Sequence, residues 1–439
     1  MSTHQVSMLF VALASISLLA YAAGALARRL RQPAVIGEVA LGVLLGPTLL
    51  NGALSDTLFP ADIRPFLTAL ANIGVALFMF AVGAELDAGL LRGRRVVAGT
   101  VAAGSIALPF LLGALLALHL HAGHPTDDRA GFVLFMGAAM SVTAFPVLAR
   151  ILTDRGMQRT WLGAVALACA AIDDVLAWTL LAVVVAIIGA GGGSQWLLLL
   201  LVPYVVLMFT VVRPLLRRFL EHRRRADPEH PGALVVTLVG LLSSAAFTEW
   251  IGLHFIFGAF IFGAVMPRPT ARCAAPDVTG RVRERLSYLN DLLLLPLFFV
   301  VAGLKVDLSG MNGAALVELG LILAVAVGGK FAGAFLAARA TGMKNRPATA
   351  LALLINTRGL TELVILTVGL QLGALDGELY STMVVMALVT TAMAGPLLQL
   401  VYPVGRAHPA LATSPGPRPA GGTAEKAPSA QAAPDRGPD

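Results

Sequence analysis

The chain has 439 residues, of which 57% are hydrophobic and 13% are charged, with a net charge of +7 and a mean hydropathy of +0.81. Soluble domains carry about 25% charged residues, so the composition excludes a soluble enzyme, a nucleic-acid-binding protein and a secreted disulfide scaffold. Apolar runs such as 196–212 recur along the chain, and each can cross about 30 Å of hydrocarbon as a helix. The sequence therefore predicts an all-α polytopic membrane protein with no cofactor and no nucleic-acid partner.

Apolar windows between charged residues predict thirteen transmembrane spans, numbered in chain order. They cover 7–27, 33–50, 65–84, 95–119, 129–153, 160–189, 196–220, 232–250, 254–267, 286–305, 314–339, 348–371 and 379–403. His119, His121 and His124 lie where span 4 ends and are expected in an exposed loop. Residues 404–439 are rich in Pro, Ala, Gly and Ser, which predicts a disordered cytoplasmic tail.

Lysine and arginine are concentrated in alternate loops of this arrangement. Placing the N-terminus outside puts 27 of the 32 basic residues in cytoplasmic loops or the tail, and Arg64, Arg129 and Lys305 outside. Because basic residues favour the cytoplasmic side of a membrane, we expect an outside N-terminus and a cytoplasmic C-terminus. Arginine outnumbers lysine 28 to 4, which is typical of a GC-rich bacterium, so the expected location is a bacterial plasma membrane.

Two parts of the chain match at a separation of about 220 residues. Segment 77–87 shares Leu, Phe, Gly and Asp with segment 297–307, and Gly42 is matched by Gly263. The match pairs span 3 with span 10, and a separation of seven spans reverses the direction of the paired helices. Inverted repeats of this kind are typical of secondary transporters, which bind substrate near the midplane between the two halves.

Ionisable side chains inside spans cost about 2.5–3.5 kcal/mol each on insertion scales and mark functional sites. Asp173 and Asp174 lie at the middle of span 6, Lys330 lies in span 11, and Arg358 and Glu362 lie four residues apart in span 12. One lysine cannot neutralise both aspartates, so we expect a functional role for the pair. For Lys330 a structural role and a functional role are equally compatible with the sequence. The spacing of Arg358 and Glu362 predicts a local ion pair that holds span 12 in place.

A buried carboxylate can hold either a proton or a hard cation, because both need the same oxygen atoms. Competition between the two at one carboxylate is sufficient for exchange. Pro146 in span 5 and Gly359 in span 12 predict interruptions at corresponding places in the two halves. Discontinuous helices 5 and 12 that cross at the midplane would form a transporter binding site.

These residues resemble the monovalent cation:proton antiporter family 2, which is related to plant cation/proton exchangers. The resemblance rests on the aspartate pair and Lys330 together with Ile36-Gly37-Glu38, Ser141 to Pro146 and Asn356 to Leu363. It extends from about residue 8 to about residue 403. It implies exchange of Na⁺ or K⁺ for protons by an elevator-type alternating-access mechanism, in a homodimer surrounded by membrane lipid.

The resemblance also implies roles for individual residues. Asp174 would be the essential carboxylate that binds the monovalent metal cation or the proton, and Asp173 would pair with Lys330 and share in proton coupling. Ser141, Thr143 and backbone carbonyls of span 5 would complete the ligands of the cation. Electroneutral members tend to have asparagine where this chain has Asp173, so the chain is similar to the electrogenic branch.

The family fold implies a division of the chain into two scaffold parts, two core parts and a tail. These are dimerisation and scaffold spans 1–3 (1–94), core spans 4–6 (95–190), linker and scaffold spans 7–10 (191–313), core spans 11–13 (314–403) and the tail (404–439). The core would be the mobile transport domain, and the scaffold would hold the dimer together.

Three other functions fit parts of the pattern. An intramembrane aspartyl protease needs two aspartates on different helices, whereas Asp173 and Asp174 are adjacent on one. A sodium-coupled organic anion symporter of similar architecture stays the alternative, although the acidic centre argues against an anionic substrate. A channel is disfavoured because the charges near the midplane do not form the rings typical of a selectivity filter.

Overall fold

The computed structural model describes residues 2–30, 32–49, 52–85, 95–126, 128–157, 160–189, 200–226, 232–267 and 278–402. The predicted tail 404–439, the first residues of the predicted part 191–313 and the start of span 7 at residue 196 lie outside the described residues. The described residues contain helices and connecting segments and no β-strand. This agrees with the all-α class predicted from the sequence.

Eighteen helices are described. The first nine are α1 (Thr3–Arg29), α2 (Ala34–Leu45), α3 (Ala53–Leu58), α4 (Arg64–Glu85), α5 (Arg95–Leu120), α6 (Arg129–Ser141), α7 (Phe145–Asp154), α8 (Trp161–Gly189) and α9 (Leu201–Leu207). The second nine are α10 (Arg213–Ala226), α11 (Gly232–Trp250), α12 (Phe255–Val265), α13 (Val278–Leu289), α14 (Leu295–Gly303), α15 (Gly313–Ala340), α16 (Asn345–Ile355), α17 (Leu360–Gln371) and α18 (Gly377–Val401). Two π-helical turns, Met208–Val212 and Asn290–Leu294, join α9 to α10 and α13 to α14.

Eight helical stretches are long and apolar enough to cross a membrane, and four shorter helices of 10–17 residues are also apolar. The long stretches include α1, α4, α5, α8, α11, α15 and α18 and the stretch that α13 and α14 form together. The structure thus supports a membrane protein with many helical crossings. The count of thirteen spans stays a prediction.

Two features of the helices differ from the sequence prediction. Helix α3 lies in a segment predicted as a loop, because six residues are too few to give a clear apolar period. Span 10 was expected to begin at residue 286, but helix α13 begins at Val278. Its first part carries Arg281, Arg283 and Arg285, and a hydropathy window omits such a charged helical extension.

Short non-helical segments separate two pairs of consecutive helices. Residues 142–144 lie between α6 and α7, and residues 356–359 lie between α16 and α17. Pro146 falls in the first turn of α7, where its missing N–H would have had no helical partner. A Cβ atom at Gly359 would overlap a methyl group of Val147. The two non-helical segments therefore approach each other closely.

Glycines bring backbones together among α2, α4, α12 and α14, which form a glycine-packed group. Gly42 of α2 lies against Gly303 of α14, and a Cβ atom at Gly303 would come within 2.5 Å of the Val39 carbonyl oxygen. Gly263 of α12 packs against the backbone of α4 at Phe80, next to Gly83. Gly42 and Gly263 are matched in the sequence repeat, as are Gly83 and Gly303. Each contact thus joins one half of the repeat to the other, as in a two-fold arrangement.

A second group of helices packs around α5 and α15. These two helices run against each other, and Gly104 of α5 and Gly333 of α15 are in mutual backbone contact. Helices α6, α8, α16 and α18 pack against this pair. The buried apolar cluster between α7, α8 and α16 includes Leu148, Val165 and Leu351. Asp173, Asp174 and Lys330 lie on this second group of helices, and Arg358 and Glu362 lie in the segment after α16 and on α17, which packs against α6 and α18.

Candidate functional site

Helix α8 carries Asp173 and Asp174 near its middle, with relative exposures of 0% and 1%. Successive residues of an α-helix point about 100° apart, so the two carboxylates leave the helix on different faces. The surroundings of each face decide what each carboxylate can do.

Asp173 faces α5 and the non-helical segment after α6. The Ser105 hydroxyl of α5 lies 3.2 Å from Asp173 Oδ1 and 3.0 Å from Oδ2. The Thr143 hydroxyl, in the non-helical segment after α6, donates to Asp173 Oδ2 at 2.6 Å. Both donors are fully buried. Asp173 is therefore held by hydroxyl groups from two different elements and is shielded from solvent.

Asp174 lies on the face of α8 that carries Trp178, because residues four apart share a helix face. The Trp178 ring packs against Phe257 and Phe260 of α12, with centroid distances of 6.5 Å to each. Helix α12 belongs to the glycine-packed group, so this face of α8 is directed towards that group. The two acids are thus divided between a face that contacts α5 and the segment after α6 and a face directed towards α12.

Two basic side chains bind the carbonyl end of α6. Lys330 of α15 donates to the Ser141 carbonyl oxygen. Arg358 donates to the carbonyl oxygens of Ala139 at 3.0 Å and Met140 at 2.6 Å. The last carbonyls of a helix have no intrahelical donor and carry the negative end of the helix dipole. The two cations therefore stabilise the end of α6 inside the protein.

Arg358 also lies 2.8 Å from Glu362, and both side chains have 0% relative exposure. Glu362 lies in the first turn of α17, where the positive end of the helix dipole favours an anion. The Arg358 carbonyl oxygen accepts from the Thr391 hydroxyl of α18 at 2.8 Å. These contacts link the segment 356–359 to α6, α17 and α18.

The two non-helical segments are directly bonded. The Ala144 amide donates to the Thr357 carbonyl at 3.0 Å. The Thr143 hydroxyl lies 3.2 Å from the Ile355 carbonyl. The first of these bonds therefore pairs the backbone N–H of the residue before α7 with a carbonyl just beyond the end of α16.

In the structure Lys330, Ser141 and Thr143 bond to protein groups, and the implied roles of Ser141 and Thr143 as cation ligands stay a prediction. Asp173 and Lys330 are both described, and no ion pair within 4.0 Å joins them, because the ammonium is bound to the Ser141 carbonyl. The Ser141 hydroxyl donates to the Gly137 carbonyl at 2.7 Å. The Thr143 hydroxyl contacts Asp173. Lys330 and Asp173 therefore have separate hydrogen-bond partners in the structure.

The charge balance of these residues favours a cation. With Arg358 and Glu362 neutralising each other, Asp173, Asp174 and Lys330 carry a net charge of −1 when all are ionised. Carboxylate, hydroxyl and carbonyl oxygens are the ligands that hard cations prefer. The arrangement can therefore reach neutrality by taking up one monovalent cation or one proton.

Sequence reasoning missed Ser105. No motif surrounds it, yet Gly104-Ser105 and Phe110 are matched 225 residues later by Gly329-Lys330 and Phe335. This match places Ser105 and Lys330 at corresponding positions of α5 and α15. A comparison of the two halves at an offset of 225 residues, five more than the first offset, would have matched Ser105 with Lys330.

A separate ionisable cluster joins three elements of the core at the end of α5. His124 Nδ1 lies 2.6 Å from Asp376, the N-cap of α18, and His124 Nε2 lies 3.1 Å from Glu318 of α15. The hydrogen bond to Asp376 is the main cause that raises the pKa of His124 to about 9. His124 was expected in an exposed loop, but its relative exposure is 4% because these acids surround it.

Comparison with known families gives a match over most of the chain. The family model described as sodium/hydrogen exchanger, transmembrane, matches residues 14–402. The chain belongs to the sodium/hydrogen exchanger family. The family resemblance inferred from the motifs is confirmed.

Several named relatives of this exchanger family chain are similar in sequence. The Na(+)/H(+) antiporter NhaS4 of Synechocystis sp. is 38% identical over 389 residues, which cover 87% of this chain and 93% of that protein. The cation/H(+) antiporter 20 of Arabidopsis thaliana is 36% identical and the K(+)/H(+) antiporter 1 of Saccharomyces cerevisiae is 35% identical, over 86% and 85% of this chain. The chain spans only 46% and 44% of the length of these two proteins.

The fold is also similar to that of a solved exchanger structure. The sodium proton antiporter MjNhaP1 from Methanocaldococcus jannaschii superposes with a TM-score of 0.57 over 91% of this chain and 96% of that protein. The sequence identity is 17%. At this identity the likeness is one of fold.

Proposed function

We propose that the protein is a secondary antiporter that exchanges a monovalent cation, Na⁺ or K⁺, for protons. Membership of the sodium/hydrogen exchanger family supports this proposal, as do relatives named as Na(+)/H(+) and K(+)/H(+) antiporters. The observation that carries it is the division of the two α8 carboxylates between two faces. The comparisons give no support to an organic anion symporter, the alternative considered from the sequence.

In this proposal Asp174 is the group that binds either the cation or the proton. Its face of α8 carries Trp178 and looks towards α12, so it lies where a moving core would pass the scaffold. A cation that binds there completes the charge balance of the site. A proton on the same carboxylate has the same effect, and competition between the two couples their movements.

Asp173 and Lys330 tune this carboxylate from inside the core. Asp173 stays bound to Ser105 and Thr143, while Lys330 is bound to the carbonyl of Ser141. Thr143 and Ser141 then act as supporting residues, Thr143 through Asp173 and Ser141 through its carbonyl oxygen. The Arg358–Glu362 pair holds the crossing segments together.

We further infer a thirteen-span inverted repeat in which α6–α7 and α16–α17 are discontinuous helices that cross at the membrane midplane. The bonds between segments 142–144 and 356–359 support the crossing. The contact of Gly42 with Gly303 and the contact of Gly263 with α4 each join one half of the repeat to the other, and these contacts support the repeat. The distribution of basic residues supports an outside N-terminus and a cytoplasmic C-terminus in a plasma membrane.

Transport would follow an elevator-type movement of the core, residues 95–190 and 314–403, against a scaffold that dimerises. The described polar contacts across this boundary are single hydrogen bonds. Examples are Tyr380 Oη to the Ala302 carbonyl at 3.0 Å and the Asp307 amide to Ser381 Oγ at 3.0 Å. Hydrogen bonds of this kind contribute only about 0.5–1.5 kcal/mol each, so movement could break them.

One hydrogen bond between the scaffold and the core depends on a proline in α18. Pro396 inside α18 has no N–H for the Ala392 carbonyl four residues earlier. Gln32, between α1 and α2, donates to that carbonyl at 3.2 Å. The scaffold thereby satisfies a carbonyl of the core that the core itself cannot satisfy.

The proposal is tested by cation-dependent proton release from everted membrane vesicles that contain the protein. Vesicles are acidified inside, and Na⁺, K⁺, an organic acid anion or choline chloride is then added. We expect release with Na⁺ or K⁺ and none with choline or in vesicles without the protein. A response to the organic acid alone would favour a symporter, and no response to any cation would refute the proposal.

A further inference from the structure

Ser105 stands in an unusual position for a serine in a helix. A helical serine commonly donates to a carbonyl three or four residues earlier, and the Ser105 hydroxyl has such an acceptor in Ala102 at 2.9 Å. The same hydroxyl also lies within 3.2 Å of both oxygens of Asp173. Ser105 therefore has two alternative acceptors, a backbone carbonyl and a carboxylate.

Thr143 repeats this arrangement on the other side of Asp173. Its hydroxyl lies 2.6 Å from Asp173 Oδ2 and 3.2 Å from the Ile355 carbonyl at the end of α16. A hydroxyl carries one proton and can accept through its lone pairs. Each of the two hydroxyls can therefore donate to the carboxylate or to its carbonyl, but not fully to both.

This choice of acceptors matches the two states of a carboxyl group. When Asp173 is ionised, both hydroxyls donate to it. When Asp173 is protonated, its own O–H donates to one hydroxyl oxygen, and that hydroxyl turns its proton to the backbone carbonyl. The Asp173 carboxyl and both hydroxyls have a partner in both states, which matters because an unpaired buried group costs about 1–3 kcal/mol.

The ion pair of Arg358 and Glu362 in the same protein is an example of an arrangement that keeps a group permanently ionised. Arg358 donates to Glu362 and to the carbonyls of Ala139 and Met140. A guanidinium has donors only, so it cannot accept a proton from a neighbour. A site built to keep Asp173 permanently ionised would use donors of this kind.

We propose that Ser105 is a positioning residue which, together with Thr143, allows Asp173 to gain and lose a proton during each transport cycle. This inference rests on the proposed exchange function. Ser105 acts through Asp173 and does not contact the transported cation. The role needs a hydroxyl at position 105, and the precise shape of the side chain matters less.

The test compares Ser105→Thr with Ser105→Val, because threonine and valine have nearly the same shape and differ in the hydroxyl. The pH dependence of cation-driven proton release is measured for both variants and for wild type. We expect the threonine variant to keep the wild-type profile. The valine variant should need a higher pH for half-maximal exchange, by about one pH unit, because the ionised carboxylate loses a donor that favours it.

Thr237 of α11 supplies a matched control. It is buried, and its hydroxyl donates to the Ala233 carbonyl at 2.8 Å. Thr237→Val therefore removes a buried hydroxyl far from Asp173 and should leave the pH profile unchanged. A wild-type profile in Ser105→Val would overturn the inference, as would equal shifts in the threonine and valine variants.

An infrared titration of the purified protein separates this inference from the proposed function. The band of the protonated Asp173 carboxyl is identified by its loss in Asp173→Asn. We expect this band to appear at a higher pH in Ser105→Val than in wild type and Ser105→Thr. If wild-type vesicles release no protons, the exchange function fails, while the infrared band still decides the role of Ser105. Absence of a protonated band in wild type at every pH would overturn the role.

Discussion

Two regions of the molecule hold their neighbours together by opposite means. One is the crossing of the two non-helical segments, and the other is the group of scaffold helices. At the crossing, charged and hydroxyl groups such as Arg358 and Thr143 satisfy backbone carbonyls in a buried environment. In the scaffold, Gly42 and Gly263 let backbones touch with no polar side chain between them. The difference separates a region built for chemistry from a region built for fixed geometry. A substitution in the first should change transport, and one in the second should change folding.

The largest effect on transport is expected at Asp174. Asp174→Asn keeps the size of the side chain but removes the charge that a cation or proton would neutralise. We expect exchange to fall by about 10²-fold or more, the range for loss of a proton-transferring group. The protein should remain folded, as measured by size-exclusion chromatography and melting temperature in detergent. Substantial exchange in this variant would exclude Asp174 as the binding carboxylate.

A substitution in the scaffold should lower the stability of the protein instead of acting directly on transport. In Gly263→Val the new side chain would overlap the Phe80 carbonyl of α4, and overpacking of this kind typically costs about 1–3 kcal/mol. We expect a lower yield of folded protein and a lower melting temperature. Gly320→Ala in α15 is the control, because a Cβ atom there meets nothing within 4 Å. Equal stability of the two variants would contradict the proposed role of the glycine contacts.

A smaller and more selective effect is expected for Asp173 and Lys330. In the double variant Asp173→Asn with Lys330→Gln, Asp174 can still exchange one proton for one cation, so we expect exchange to persist. Wild type should respond to an imposed membrane potential, because a proton leaves the Asp173 and Lys330 pair more readily when a cation enters beside it. The double variant should lose this response.

Flux into proteoliposomes at several imposed potentials measures this difference. The thermal stability of the double variant provides the control for folding. A wild-type flux that ignores the potential would reduce Lys330 to a structural counter-ion. Loss of all exchange in a folded double variant would show that the pair does more than tune Asp174.

The smallest effect on transport is expected at the His124 cluster, where the effect is on stability and depends on pH. The pKa of His124 is raised from 6.5 to about 9 by its bonds to Asp376 and Glu318. Its contribution to stability is therefore complete below about pH 6.5 and is lost as the pH rises through 9. His124→Gln should lower stability at pH 6 by about 1.5–3 kcal/mol, the range for hydrogen bonds to charged groups.

Thermal unfolding in detergent at pH 6, 8 and 10 tests this expectation. The difference between wild type and His124→Gln should shrink as the pH rises and be smallest at pH 10. Thr237→Val in α11 is a control that replaces no titratable side chain, and it should show no such trend. A constant difference across this pH range would mean that His124 acts by packing alone.

The two regions also differ in how far the sequence could predict them. Apolar windows predicted most of the helices, because length and hydropathy alone decide whether a helix can cross a membrane. Intramembrane charges pointed to α8, α15 and the segment after α16, because such groups are too costly to occur without a purpose. Helix α3 and the charged start of α13 were missed, because neither has the apolar length that the window detects.

The partners of the site residues could not be predicted. Lys330 binds the carbonyl of Ser141, which is 189 residues away, and a backbone acceptor leaves no signature in a sequence. Ser105 was missed because a serine in an apolar helix normally bonds within its own helix. The 100° between Asp173 and Asp174 could be predicted from helix geometry, but the helix that each one faces depends on the packing.

The glycine contacts of the scaffold have a consequence for temperature. Ordering a side chain costs up to about 2 kcal/mol of conformational entropy, whereas glycine has no side chain to order. A contact made by Gly42 and Gly303 therefore gains dispersion energy without that entropic cost. Because an entropic cost grows with temperature, this part of the scaffold should weaken less on warming than an interface of long side chains. The helices that form the scaffold in the proposed mechanism would then keep their spacing over the range of temperatures at which the cell grows.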